Sequence, residues 1–237
     1  MREKAGRIKK NGAVREPELQ NCSAVLPGIV LLLVAAGTLF LLCFGRVIPS
    51  PVRIEEAGST TEFLAMDGDL FYRQTLNNCG AYSVMAVLAV LRQEEQDPEL
   101  LAQEMRWRIY KNLTFPYGVQ ALLRAHGIRA DDYVLRGRAD KKKLDWLKGR
   151  ISEGSPVVLL IKIHHVLHYV TVLGYDADGF MLYDSMQEKD AGNPQKTIVD
   201  GRCLSGNRYY RNDELAALWN AGGYKIFFRN WAIVCRR

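Results

Sequence analysis

The sequence predicts an α+β protein: a block of helices followed by an antiparallel sheet, behind one apolar N-terminal helix. Three observations carry that expectation. Residues 24–45, AVLPGIVLLLVAAGTLFLLCFG, run without a charge. From Cys79 to Leu91 nearly every side chain is apolar or small, the mark of a helix buried on all sides. Beyond residue 156 the pattern changes to short β-branched and aromatic runs, and helices first with strands second reads as α+β.

The elements follow in chain order. About 20 apolar residues span a bilayer's hydrocarbon core, so 24–45 reads as a transmembrane helix. A cleaved signal peptide needs a shorter core and a clearer small-residue cleavage site. Six basic residues precede the run (Arg2, Lys4, Arg7, Lys9, Lys10, Arg15), and only Arg46 and Arg53 follow it closely. That bias keeps 1–23 in the cytoplasm and places the rest across the membrane. Residues 46–65, with Pro49 and Pro51, read as a linker, and 66–237 as the main domain.

Within that domain, Cys79–Leu91 is the central helix. Asp97-Pro98 opens a second, as a cap followed by a first-turn proline, with Leu101, Met105 and Ile109 on one face. A third carries Val119, Leu122, Leu123 and His126 and stops at Gly127, and a fourth starts at Asp140. Strands are expected at 156–163, 168–175 and 180–184, the last two joined by Ala177-Asp178-Gly179 with the glycine left-handed. Residues 185–211 read as a long loop, 213–220 as a helix and 224–234 as the last strand.

The net charge of +6 is spread thinly. From Arg46 on there are 26 basic and 23 acidic residues, with no basic stripe among aromatics, so nucleic acid is not the expected partner. No cofactor or metal motif stands out. Of five cysteines, Cys22 and Cys43 belong to the anchor region. Cys203 and Cys235 could form a disulfide or stay as two buried thiols, and Cys79 is left over.

Cys79 lies where the polar stretch QTLNNCG meets its helix. A helix N-terminus favours the thiolate, which is the nucleophilic form. A thiolate nucleophile needs a base. His126 ends a surface helix and His164 and His165 fall in a turn, whereas His168 begins a strand that can hold an imidazole still. Asp184, at the end of the next strand, can orient it. A plain register leaves Asp184 a few residues short of His168, so twist or a bulge must close the distance. Gln74 can donate to an oxyanion beside the Cys79 N–H.

Gln74…Asn78-Cys79-Gly80, then His168-Tyr169-Val170, then Tyr183-Asp184 resembles the papain-like cysteine peptidases related to the bacteriocin-processing, double-glycine leader peptidases. The resemblance covers most of 70–237. It implies a papain-like fold, a peptide or protein substrate, and the roles of nucleophile for Cys79, base for His168, orienter for Asp184 and oxyanion donor for Gln74. An acyltransferase would use the same triad with another acceptor, and a peptide-binding module could keep the scaffold without turnover.

Overall fold

The computed structural model describes residues 22–44, 52, 60–224 and 227–237. The chain divides into two compact units, 1–40 and 41–237. The described part of the first belongs to α1 (Cys22–Phe44), a 23-residue helix with Pro27 inside it that ends just past the boundary. The expected membrane helix falls on α1, whose side chains are described only from 27 to 40. Among the described residues no helix is long and apolar enough to cross a membrane.

The second unit is a three-layer α+β domain. Its antiparallel sheet has the order β2 (Arg129–Val134), β7 (Trp231–Arg236), β3 (Val157–Ile163), β4 (Val166–Tyr175), β5 (Gly179–Tyr183), β6 (Arg208–Arg211). The short β1 (Glu62–Phe63) also pairs with β4, so residues expected to be linker join the sheet. Along β3 the side chains alternate between two cores. Val158 and Leu160 face α2 (Cys79–Arg92), α3 (Pro98–Glu104) and α4 (Pro116–Ala125). Val157, Leu159 and Ile161 face α5 (Asp140–Ser152) and α6 (Asn212–Ala221). A strand buried on both faces explains why 156–163 reads as continuously apolar.

Several expectations are corrected. The second helix ends at Glu104, not beyond Ile109. Met105 is buried, but Ile109 is 49% exposed, because the chain turns at Trp107 (φ 58°) into a finger closed by an Arg108–Thr114 bridge. Strand β2 was not foreseen. Asp131 and Asp132 break its apolar pattern, and they are satisfied by Arg236 and Gln120, at 3.1 and 3.2 Å.

Gly179 belongs to β5 and is not left-handed. A Cβ there would stand 2.3 Å from the Tyr210 carbonyl oxygen, so glycine serves close approach. The turn itself is held by Asp176, whose carboxylate accepts the N–H groups of Asp178 and Gly179, both at 2.8 Å. The expected loop 185–211 ends in β6, which pairs with β5. The last strand starts at Trp231 rather than 224, since positive φ at Gly223, Phe228 and Asn230 breaks the run before it.

Cys203 and Cys235 are both free thiols, so the disulfide alternative is not realised. Cys235 is fully buried in β7, opposite Ala130.

Candidate active site

Cys79 is the first residue of α2, and Asn78 is its N-cap. The helix behind the sulfur is locked in place: Ala81, Val84, Met85, Ala86, Val87 and Leu88 have no measurable exposure. Gly80 allows α4 to come close, since a Cβ there would lie 3.1 Å from Val119 Cγ2. The thiol therefore sits at the tip of a rigid element, with the helix's positive end beside it.

His168 and Asp184 are brought together by register. β5 pairs with β4 as Gly174↔Met181 near the hairpin but as Val172↔Leu182 and Thr171↔Tyr183 beyond it. One extra residue in β4, Leu173, makes this a β-bulge. Continued one step, the shifted register sets Asp184 opposite Val170, on the same face as His168 and two residues away. The unshifted register would set Asp184 opposite Thr171, on the other face, because a one-residue slip reverses every side chain. Diagonal neighbours on one face are within reach of such side chains. The imidazole Nε2 lies 2.7 Å from Asp184 Oδ1.

The pair is buried, with His168 fully enclosed. Asp184 Oδ1 also accepts the Met186 N–H at 2.8 Å. Asn207, unexposed, clamps the Asp184 main chain, accepting its N–H at 2.7 Å and donating to its carbonyl at 2.9 Å. Burial opposes charge on the imidazole, but the Asp184 carboxylate and then the Cys79 sulfur outweigh it and raise the His168 pKa above 6.5. Burial likewise opposes charge on Asp184, yet His168 and the Met186 N–H hold its pKa below 3.8. The two shifts agree: the site favours an imidazolium beside a carboxylate.

The second imidazole nitrogen, Nδ1, is buried and makes no hydrogen bond of full geometry. Cys79 is nonetheless close enough for its sulfur to support the imidazolium. Both residues line one narrow slot of about 20 Å³, together with Gln74, Leu113, Val166, Met186 and Tyr224. A larger cleft of about 700 Å³ adjoins it at Gln74 and is lined by Tyr72, Glu95, Asp97 and Glu99. Of the two, the slot alone holds the thiol and the imidazole.

Gln74 is fixed by Ser185, which donates from Oγ to Gln74 Oε1 at 2.8 Å and accepts the Gln74 N–H at 2.9 Å. With its oxygen engaged, the side-chain NH2 is the end available to a developing oxyanion. Gln74, Cys79 and His168 thus line one slot, and Asp184 stands behind it through its bond to His168.

The other histidines lie elsewhere. His126 pairs with Glu104 at 2.8 Å, and His164 and His165 are exposed in the β3–β4 turn. Among the described residues, no group of three or more His, Cys, Asp or Glu side chains could hold a metal ion.

Sequence reasoning missed the supporting residues Asn207, Ser185, Glu99 and Arg108. Asn207 and Ser185 are polar residues in a polar loop, and only their burial sets them apart.

Several solved structures are similar to the chain, among them the following three. A C39-like peptidase from Bacillus anthracis is 14% identical, with a TM-score of 0.48, covering 75% of this chain and 98% of its own. The peptidase domain of Streptococcus ComA, a bifunctional ABC transporter involved in a quorum-sensing pathway, is 12% identical, with a TM-score of 0.45, covering 74% and 97%. The cysteine protease CMS1MS2 of Carica candamarcensis, in complex with E-64, is 10% identical, with a TM-score of 0.41, covering 76% and 94%. No curated protein matches the chain. Residues 67–214 match the Peptidase_C39 like family, and because that stretch is more than half of the sequence, the chain belongs to this family of cysteine peptidases.

Proposed function

We propose that this peptidase is membrane-anchored and cuts peptide bonds with Cys79 as nucleophile, His168 as acid and base, Asp184 as orienter and Gln74 as oxyanion donor. One observation carries the assignment. The His168 ring has Nε2 committed to Asp184 and keeps Nδ1, buried and without a full hydrogen bond, in the slot it shares with the only cysteine there.

The Cys79 thiolate attacks the peptide carbonyl, and an S–C bond forms as the carbonyl electrons move to oxygen. The Cys79 N–H and the Gln74 amide take up that charge. His168 gives its proton to the leaving amine as the C–N bond breaks, which leaves a thioester. Neutral His168 then takes a proton from water, the hydroxide adds to the thioester, and the C–S bond breaks to restore thiolate and imidazolium.

Alkylation rates test the assignment. Of Cys79, Cys203 and Cys235, Cys79 should react fastest with iodoacetamide near neutral pH. The Cys203 thiol is pushed up to about 12, by burial and then Asp200, and burial raises that of Cys235 further. Equal labelling of all three would remove Cys79 as the nucleophile.

The anchor rests on the uncharged run 24–45 and the six basic residues before it. A reporter that is active only in the cytoplasm, fused after Arg237, should stay silent in cells. A strong signal would reverse the topology.

A further inference from the structure

Opposite charges grip the loop that carries Cys79 from two sides. Glu99, in α3, accepts from Thr75 Oγ1 at 2.8 Å, Asn78 Nδ2 at 3.0 Å and Tyr82 Oη at 2.6 Å. Arg108, in the finger, donates from Nη2 to Asn78 Oδ1 and from Nη1 to the Ala102 carbonyl at 2.7 Å. Its Nη2 also lies 3.3 Å from the Asn112 carbonyl. One amide, that of Asn78, therefore joins a carboxylate to a guanidinium.

The consequence falls on the helix end. Asparagine at an N-cap ordinarily accepts an N–H of its own first turn. Here Asn78 makes no such bond, because its oxygen is held by Arg108. The Ala81 N–H is taken by the Asn78 carbonyl at 2.9 Å, and the N–H groups of Cys79 and Gly80 are left to the sulfur and to a developing oxyanion. The finger is tied to the same loop twice more, through Asn77 Nδ2 to the Lys111 carbonyl at 2.8 Å and Asn112 Nδ2 to the Leu76 carbonyl at 3.2 Å.

A neutral donor would satisfy Asn78 equally well, so the charge itself calls for a reason. Burial is the strongest influence on Arg108 and opposes its charge; a negative Cys79 and then Glu99 push the other way. The guanidinium is hydrogen-bonded to the residue directly before Cys79, which places its positive charge beside the helix end that carries the sulfur.

We propose that Arg108 is a positioning residue of the peptidase site: through the Asn78 amide, with Glu99 as the opposing anion, it keeps the α2 N-terminus open and gives the thiolate a second cation besides His168. The proposal rests on Cys79 being the nucleophile. An arginine stays charged through the whole cycle, whereas His168 gives up its proton in acylation. The thiolate that leaves in deacylation therefore meets a positive charge whatever the state of the imidazole.

The test is the pH dependence of Cys79 alkylation by iodoacetamide in the full-length protein, read at that site by mass spectrometry and with Tm measured for each variant. Arg108→Met should raise the pH of half-maximal labelling by roughly one unit, the scale of an opposite charge removed from a nearby site. Arg108→Lys keeps the charge and should largely restore the profile. Glu99→Gln removes the opposing anion and should move the profile to lower pH.

A purely structural brace would move Tm without these opposed shifts. An Arg108→Met profile that superimposes on wild type would overturn the proposal, as would shifts of the same sign in Arg108→Met and Glu99→Gln. If Arg108→Met does not fold, an unshifted Glu99→Gln profile overturns it. Wild-type protein in which Cys79 is not the fastest-labelled cysteine would instead sink the nucleophile assignment.

Discussion

The two halves of the site are held by different kinds of force. His168 and Asp184 sit on neighbouring strands, and their meeting is decided by ladder register and one bulge. Cys79 sits on a helix whose leading loop is held by side chains from α3 and the finger, with Asn77, Trp107, Lys111 and Asn112 all at positive φ. The strand half is built from repeating main-chain bonds, and the loop half from single polar contacts in strained backbone. Register resists small changes, because slipping it would reverse whole faces. A loop held by single contacts can be loosened one bond at a time.

The largest expected effect comes from the strand half. His168→Ala removes the imidazolium beside the sulfur and the proton for the leaving amine. Peptide turnover should fall by at least about 10⁴-fold, and Cys79 labelling at pH 6 should slow sharply. Removing the ring also leaves the buried Asp184 carboxylate without its partner, so Tm should fall as well, while the strand keeps its ladders. Unchanged turnover would detach the strand half from the chemistry.

The same contrast decides what could be read from sequence. Strands β3, β4 and β5 announce themselves because burial on both faces demands apolar runs, and Cys79–Arg92 does so because it is a core helix. Cys79, His168, Asp184 and Gln74 stand out as chemically distinctive residues at element boundaries. The need for a bulge could be foreseen, but its place at Leu173 could not, since nothing about a leucine among valines marks an unpaired residue. Glu99, Arg108 and Asn207 look like ordinary surface polar residues until tertiary contact gives them partners. The finger reads as helix in the sequence because Met105 and Ile109 have helical spacing, while the positive φ of Trp107 has no glycine to signal it.

A smaller loss is expected for Asp184→Asn, which keeps the shape and removes the charge. Turnover should drop on the order of 10²-fold. Without the carboxylate, burial lowers the His168 pKa, so the alkaline limb of activity against pH should move to lower pH. Stability has its own signature. The raised His168 pKa contributes stability in full below 6.5, and this is lost as pH rises through the folded value. The depressed Asp184 pKa contributes above 3.8, and this is lost as pH falls through its folded value. The gap between wild type and variant should be widest between 3.8 and 6.5. A gap that grew steadily toward high pH would mean the pair is not charged in the fold.

The smallest effect should come from the bond that links the two halves. Tyr169, beside His168 on β4, donates from its buried hydroxyl to the Thr114 carbonyl at the base of the finger, at 2.9 Å. Burial, with smaller contributions from Tyr224 and Cys79, raises its pKa well above 10, so the hydroxyl keeps its proton and stays a donor. Tyr169→Phe keeps the ring, which packs edge-on against Trp231 at 6.1 Å, and leaves a buried carbonyl without its partner. One such loss costs about 1–3 kcal/mol, or a fall in Tm of roughly 2–4 °C per kcal/mol for a domain of this size. Turnover should fall only a few-fold, because Arg108 and Asn112 still hold the finger to the Cys79 loop. If turnover instead fell as far as in Asp184→Asn, the finger would be held by the strands rather than by its own polar contacts, and the division between the two halves would be wrong.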